Sequence, residues 1–202
     1  GSNCSAFIVN LNSPEVERIP VKSIDPSRDQ AKLVFHDARA EELGDQVNGN
    51  IMLETVYDRA AILFAWEQVG GSDMALNMAK AYAMERFAFG RPIASFQAIK
   101  HKLADVYVKN TLARSNCYYG DWAISTNSEE ISTAAAAARL SSTQAFYFSS
   151  KENIQTHGGM VFTWDFDCQI PYRRARLLAA NIGSEAIWQE KLISSIEANR
   201  AA

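Results

Sequence analysis

From about residue 50 the apolar side chains of this sequence stop alternating and recur at helical spacing, almost without interruption as far as Arg86. Leu53, Val56, Ala60, Leu63 and Phe64 set the stripe, and Met74, Met78 and Tyr82 continue it beyond Gly70-Gly71. The spacing predicts one long helix, strained at the glycine pair. Pro92 separates it from a second helix, with Ser95 as N-cap and Phe96, Ile99, Leu103, Val106 and Tyr107 on one face, running to about Ser125. Thr126 and Glu129 have the spacing of a capping box. A third helix then passes through the alanine run 134–138, whose small side chains allow close approach by a neighbour. A loop from His157 to Asp167 carries Gly158-Gly159 and precedes a fourth helix from about Cys168 to Ala179. A last helix follows Gly183, with Ile187, Trp188, Leu192 and Ile196. Several long helices joined by short loops imply an up-down, four-helix-type bundle.

The first 45 or so residues read differently. Ala6-Phe7-Ile8-Val9, Val16 to Val21 and Lys32-Leu33-Val34-Phe35 are short β-favouring runs punctuated by Pro14 and by Asp25-Pro26. Three strands make a poor sheet alone, so their partners are expected from elsewhere. The expected class is therefore mainly α: residues 1–45 are the end of an incomplete β-domain and residues 46–202 a helical bundle. Gly1-Ser2 reads as a cloning scar, and the chain reads as starting in mid-domain.

The 202 residues carry a net charge of -3, with no Lys/Arg-rich block, which argues against nucleic-acid binding. Three widely spaced cysteines, Cys4, Cys117 and Cys168, suit a reducing compartment, hence a cytoplasmic location, better than a disulfide framework. No CxxC or HxxxH spacing suggests a zinc site, and no apolar run approaches the roughly 20 residues of a membrane span.

Three motifs stand out. Arg86-Phe87-Ala88-Phe89-Gly90-Arg91-Pro92-Ile93, followed by Ser95-Phe96-Gln97, can be simply a helix ending in a left-handed glycine before a proline turn. Alternatively, an arginine at a helix end can fork onto a diphosphate while Gln97 offers an amide. Gln155-Thr156-His157-Gly158-Gly159 can be a plain helix cap, or a glycine pair that lets backbone amides approach a ligand. It lacks the strand-GxGxxG-helix context of a Rossmann site. Arg173-Arg174-Ala175-Arg176 alone reads as a solvated basic face.

Taken in order, these motifs resemble the acyl-CoA dehydrogenase family. The resemblance runs through Tyr82-x-x-x-Arg86-x-x-Phe89-Gly90-x-Pro92-Ile93-x-x-Phe96-Gln97, Leu103-Ala104-Asp105, Gln155-x-x-Gly158-Gly159, Phe162-Thr163 and Arg173 without gaps. It covers essentially the whole chain, the opening strands being similar to the end of that family's middle β-domain. Trp164 and Arg173-Arg174 are most similar to actinobacterial members acting on bulky lipid or sterol acyl chains.

The resemblance implies an FAD-dependent enzyme that converts an acyl-CoA to the trans-2-enoyl-CoA. A carboxylate removes the α-proton while the β-hydrogen leaves as hydride to the flavin. It implies an acyl-CoA substrate, an electron-transfer acceptor and a homo- or hetero-tetramer. Arg86, Phe89, Gln97, Gln155, Gly158 and Gly159 match positions that hold the adenosine-diphosphate part of FAD, often that of a neighbouring subunit, with Arg86 on the diphosphate. Ser184 retains a small hydroxyl where the family often has threonine. Ala186 replaces a polar residue that commonly approaches the flavin, and Val161 stands where glycine is frequent.

The family's two base positions hold Ile182 and Ala60, and neither side chain can take a proton. Asp58 and Glu67 are the nearest carboxylates on the first helix. Asp58, on a different face from Ala60, is read as a substrate contact toward CoA or as a surface charge. The lead expectation is an acyl-CoA dehydrogenase-type flavoprotein fragment without its own base, which a partner copy or paralogous subunit supplies. The isolated fragment is expected to bind FAD poorly and to be inactive. The alternatives are a non-catalytic assembly subunit of a hetero-oligomeric enzyme and a cofactor-free helical interaction domain.

Overall fold

The computed structural model describes residues 5–44 and 49–201. Cys4 and the expected boundary at residues 45 and 46 lie outside them. The chain groups into two compact units, Gly1–Tyr57 and Asp58–Ala202.

In the first unit, strand β1 (Ala6–Val9) pairs antiparallel with β4 (Ala40–Leu43), Ala6 opposite Leu43 and Val9 opposite Ala40. Strand β2 (Val16–Val21) pairs antiparallel with β3 (Gln30–Phe35), Val16 opposite Phe35. The reading of three strands missed β4. Ala-Glu-Glu-Leu has little β propensity of its own, and its pairing with β1 makes it a strand. A two-stranded ribbon covers few of its own side chains; Phe7, Ile8, Val21 and Phe35 all lie open. The first turns of helix α1 (Gly49–Glu85) group with these strands, so the division by packing falls inside the helix.

The second unit is a bundle of the rest of α1 with α2 (Gln97–Ser125), α3 (Ile131–His157), α4 (Gln169–Ala180) and α5 (Glu185–Ala201). Helix α3 is central and packs on α2, α4 and α5. The core side of α1 is Ala61, Ile62, Ala65, Val69, Ala75, Ala79 and Ala83, not the bulkier stripe expected from the sequence. Leu63 and Met74, both on that stripe, are 68% and 49% exposed. The helix is apolar on more than one side, and the small residues win the core because α1 and α3 approach closely. Gly71 shows why: a Cβ there would fall 2.5 Å from the Phe146 ring. The glycine pair therefore does not strain the helix, which runs unbroken through it.

Polar groups also cross this core. Gln68 is fully buried; its amide oxygen accepts from Arg139 Nη1 and Ser142 Oγ, each at 3.0 Å, and its amide nitrogen donates to Thr143 Oγ1 at 3.1 Å. Arg139 is 1% exposed, and burial lowers its pKa to about 10.

Three local expectations change. Between α1 and α2, strands β5 (Phe87–Ala88) and β6 (Arg91–Pro92) form a tiny hairpin, not a glycine cap followed by a proline turn. Its two turn residues have positive φ, Phe89 at 54° and Gly90 at 77°, the requirement of a type I′ turn. Ser95 does not cap α2; it ends a 3-10 turn and donates to the Pro92 carbonyl at 2.7 Å, while Phe96 takes the cap position. The Thr126–Glu129 capping box does not form either. Thr126 closes α2 and donates to the Trp122 carbonyl at 2.8 Å, leaving Glu130 as the uncapped start of α3.

Candidate functional site

The residues singled out in the sequence fall in two places on the bundle. One is the tip where α1 ends, α2 begins and α3 ends. The Tyr82 ring stacks on His157 with centroids 4.2 Å apart, and Phe166 sets its edge against both. His157 is 5% exposed and its Nδ1 lies 2.9 Å from the Asn153 carbonyl, as in the Nδ1–H tautomer. These contacts bring the Arg86 hairpin and the Gly158-Gly159 loop to the same end of the molecule.

Arg86, Phe89, Gln97, Gln155, Gly158 and Gly159 are all exposed on this tip. The guanidinium of Arg86 makes no ion pair with any described residue. Phe89 is 94% exposed despite its strained backbone. Gly158 ends α3 at φ 60°, and a Cβ on either glycine would meet open space. The tip thus offers bare backbone, a cation and two side-chain amides that bond to no described residue, and the Phe89 ring, which meets Phe96 edge-on and is otherwise open. That donor set suits the adenosine-diphosphate end of a dinucleotide.

The other place is the turn between α4 and α5, Asn181 to Ser184. Ile182 is half-buried and packs against the core cluster of Ala61, Ile62, Ala135, Ala136 and Trp188. Ser184 is exposed, and its carbonyl accepts the first N–H groups of α5. Ala60 is half-buried. Arg139, which donates to the Leu178 carbonyl behind this turn, sits 18 residues before His157 on α3. At the helical rise the two places are about 27 Å apart along that helix.

Asp58 is neither a surface charge nor open toward a ligand. It is 5% exposed and its carboxylate lies 2.5 Å from Lys191 Nζ on α5. Glu67 accepts from Arg174 Nε at 2.9 Å, so Arg174 pairs across the bundle and is not part of a solvated face. Both carboxylates nearest the base position are therefore held by cations from other helices. Burial pushes the Cys117 thiol up to about 12, with Asp121 adding to the shift, and it raises Cys168 as well; neither is a nucleophile at neutral pH.

The sequence reading missed the fastening of both places. Phe166 and the Arg139–Leu178 contact have no local signature, because each depends on which helices meet. Trp188 carried a signal: it is the bulkiest residue on the apolar stripe of α5, and a buried tryptophan needs an acceptor for its N–H.

Among the described residues there is no helix long and apolar enough to cross a membrane and no cluster that could hold a metal ion.

The chain is 42% identical over 126 residues to acyl-CoA dehydrogenase IpdE2 of Mycolicibacterium smegmatis, covering 62% of this chain and 39% of that protein. To the Mycobacterium tuberculosis IpdE2 it is 37% identical over 156 residues, covering 77% and 44%. It spans less than half the length of either relative. Its fold matches butyryl-CoA dehydrogenase from Megasphaera elsdenii with a TM-score of 0.90 at 22% identity, over 95% of this chain and 51% of that one. Residues 49–196 match the family model for the acyl-CoA dehydrogenase C-terminal domain. That match takes in most of the chain, with all five α-helices in whole or in part: the chain belongs to the acyl-CoA dehydrogenase family.

Proposed function

We propose that this chain is the C-terminal part of an FAD-dependent acyl-CoA dehydrogenase whose bundle tip binds the adenosine-diphosphate end of the flavin and whose own base positions are silent. The observation that carries this reading is the contrast within one chain between an exposed, unspent set of donors at the tip and two apolar side chains where a base would stand. Residues 1–45 fit as the end of the middle β-domain and residues 46–202 as the C-terminal bundle.

Arg86 would fork onto the diphosphate, Gln97 and Gln155 would donate amide hydrogens along the ribose and adenine end, and Phe89 would offer a ring face. Gly158 and Gly159 leave the backbone open to the ligand, and Ser184 presents its hydroxyl toward the flavin from the other place. The bound flavin supplies hydride acceptance, and family members use FAD in this way. The substrate is an acyl-CoA; one structural neighbour is described as a steroid acyl-CoA dehydrogenase, which favours a bulky acyl group. The electrons pass on to an electron-transfer acceptor, and the enzyme works in the cytoplasm.

The missing base needs a source. Asp58 and Glu67 are poor candidates because each is already paired to a cation on another helix, Lys191 and Arg174. The two site regions are also about 27 Å apart along α3, which favours a flavin shared between subunits. A second, base-bearing chain in a hetero-tetramer meets both observations, and the open apolar side chains of α2, among them Leu112, Tyr118 and Trp122, favour assembly. The non-catalytic assembly subunit is the second reading, and Asp58 supports it by acting as a tie between α1 and α5.

The test is to purify the full-length protein with FAD, alone and co-expressed with candidate partner subunits, and to assay enoyl-CoA formation. A yellow protein that is inactive as a homomer and active with a partner is the expected result. Turnover by the homomer would contradict the silent base positions, and a colourless protein would contradict the tip assignment.

A further inference from the structure

We propose that Trp188 is a positioning residue: it clasps the α4–α5 turn so that Ile182 is held in the core and the Ser184 hydroxyl is presented outward. The proposal rests on the reading above that this turn borders the flavin.

The clasp is built from one hydrogen bond and a packed shell. Trp188 is 3% exposed, and its indole N–H donates to the carbonyl of Ile182 at 3.1 Å. That bond satisfies both a buried donor and a carbonyl just beyond the end of α4. The same ring packs in the core cluster against which Ile182 rests. Gly183, between them, has φ 107°, a conformation that glycine adopts without steric cost. A Cβ there would lie 3.5 Å from the indole nitrogen and 3.6 Å from Ile187.

The turn is fastened from behind as well. Arg139 donates through Nη2 to the Leu178 carbonyl and through Nη1 to Gln68, tying the end of α4 to α1. The space between the turn and α3, lined by Arg139, Thr143, Gly183 and Trp188, has no room for a water molecule. The Ser184 carbonyl accepts from Ile187 N at 3.1 Å and Trp188 N at 3.3 Å, so the backbone of Ser184 is fixed by the helix that carries the clasp. Its exposed hydroxyl is the one side-chain group of residues 182–184 able to make a polar contact.

Two consequences follow. A carboxylate placed at position 182 would stand half-buried against the apolar cluster of Ala61, Ile62, Ala135, Ala136 and Trp188, so one substitution would not give this chain a working base. And Ser184 is held indirectly, through the Trp188–Ile182 bond.

Both are testable in the full-length protein. For Ile182→Glu, an acid half-buried against an apolar cluster has a raised folded-state pKa. The native state then holds more protons than the unfolded one, and stability falls as pH rises above the ordinary glutamate value of about 4.3. The Tm deficit of Ile182→Glu against the parent should therefore widen between pH 5 and pH 8, and acyl-CoA should leave the flavin absorbance unchanged. A deficit independent of pH, or flavin bleaching by acyl-CoA in this variant, would overturn the proposal.

Trp188→Phe keeps the bulk and removes the donor, which guards against a variant that simply fails to fold. In the FAD-loaded protein it should alter the flavin circular dichroism and weaken FAD binding several-fold, and Ser184→Ala should then add little. A Trp188→Phe protein with a lowered Tm but an unchanged flavin spectrum and a full additional effect of Ser184→Ala would show that Trp188 is only packing. A colourless parent protein would instead sink the functional reading itself, so the two failures are distinguishable.

Discussion

The tip and the α4–α5 turn use similar materials to opposite ends. At the tip, aromatic contacts among Tyr82, His157 and Phe166 fix the backbone, yet Arg86, Gln97 and Gln155 stay exposed with no side-chain bond to a described residue, and Phe89 stays exposed with only Phe96 at its edge. At the turn, Trp188, Ile182 and Arg139 spend every contact inward. Polar side chains held in the open by rigid elements can bind; the same elements closed on themselves can only support. Within a single chain, then, the exposed polar side chains of the tip and the apolar side chains at positions 60 and 182 stand in separate places.

That contrast can be broken by mutation, since bundle-side changes should move stability and tip-side changes should move flavin affinity. The largest effect is expected for Asp58→Ala, which leaves Lys191 without its partner. Breaking a buried ion pair costs about 3–5 kcal/mol, and the lower end applies because the Lys191 side chain is 23% exposed. Thermal unfolding should show the loss, and Lys191→Met in the same background should return part of it; if Asp58 touched substrate instead, stability would hold and KM would rise.

Arg86→Ala should behave in the opposite way. Losing charge-assisted bonds to a diphosphate costs about 1.5–3 kcal/mol, or roughly 10- to 150-fold in FAD affinity, with the apoprotein Tm unchanged. An equal loss of Tm and of flavin would mean the arginine is structural. For Gly71→Ala, the added methyl must displace the Phe146 ring, at a cost of about 1–3 kcal/mol of stability and none of flavin affinity. Gln155→Ala should cost least, about 0.5–1.5 kcal/mol of FAD binding for one neutral hydrogen bond, visible as a few-fold rise in Kd by fluorescence titration.

The bundle itself was legible in the sequence because long helical periodicity leaves few alternatives. Helix extents came close: α1 to Glu85 and α2 to Ser125 match the readings within a residue. The buried face of α1 was not legible. Hydrophobicity ranks Leu63 and Met74 above Ala61 and Ala65, but the close approach at Gly71 selects for small volume. Strand β4 was invisible because its partner creates it. Capping failed at Ser95 and Thr126 for a shared reason, as each hydroxyl found a nearer carbonyl and left the helix start uncapped. For the site, ordered motifs indicated residues that prove to be exposed at the bundle tip, but not that Asp58 is tied to Lys191 or that Ile182 packs against the core. Those depend on α5 folding back along α3, which no local pattern encodes.

The most direct test of the separation between binding and base is to load the full-length homomeric protein with FAD and mix it anaerobically with acyl-CoA thioesters from short-chain to steroid-bearing. The account predicts a yellow protein whose flavin absorbance persists after mixing. Rapid bleaching of the flavin by the homomer, with Ile182 and Ala60 unchanged, would contradict it.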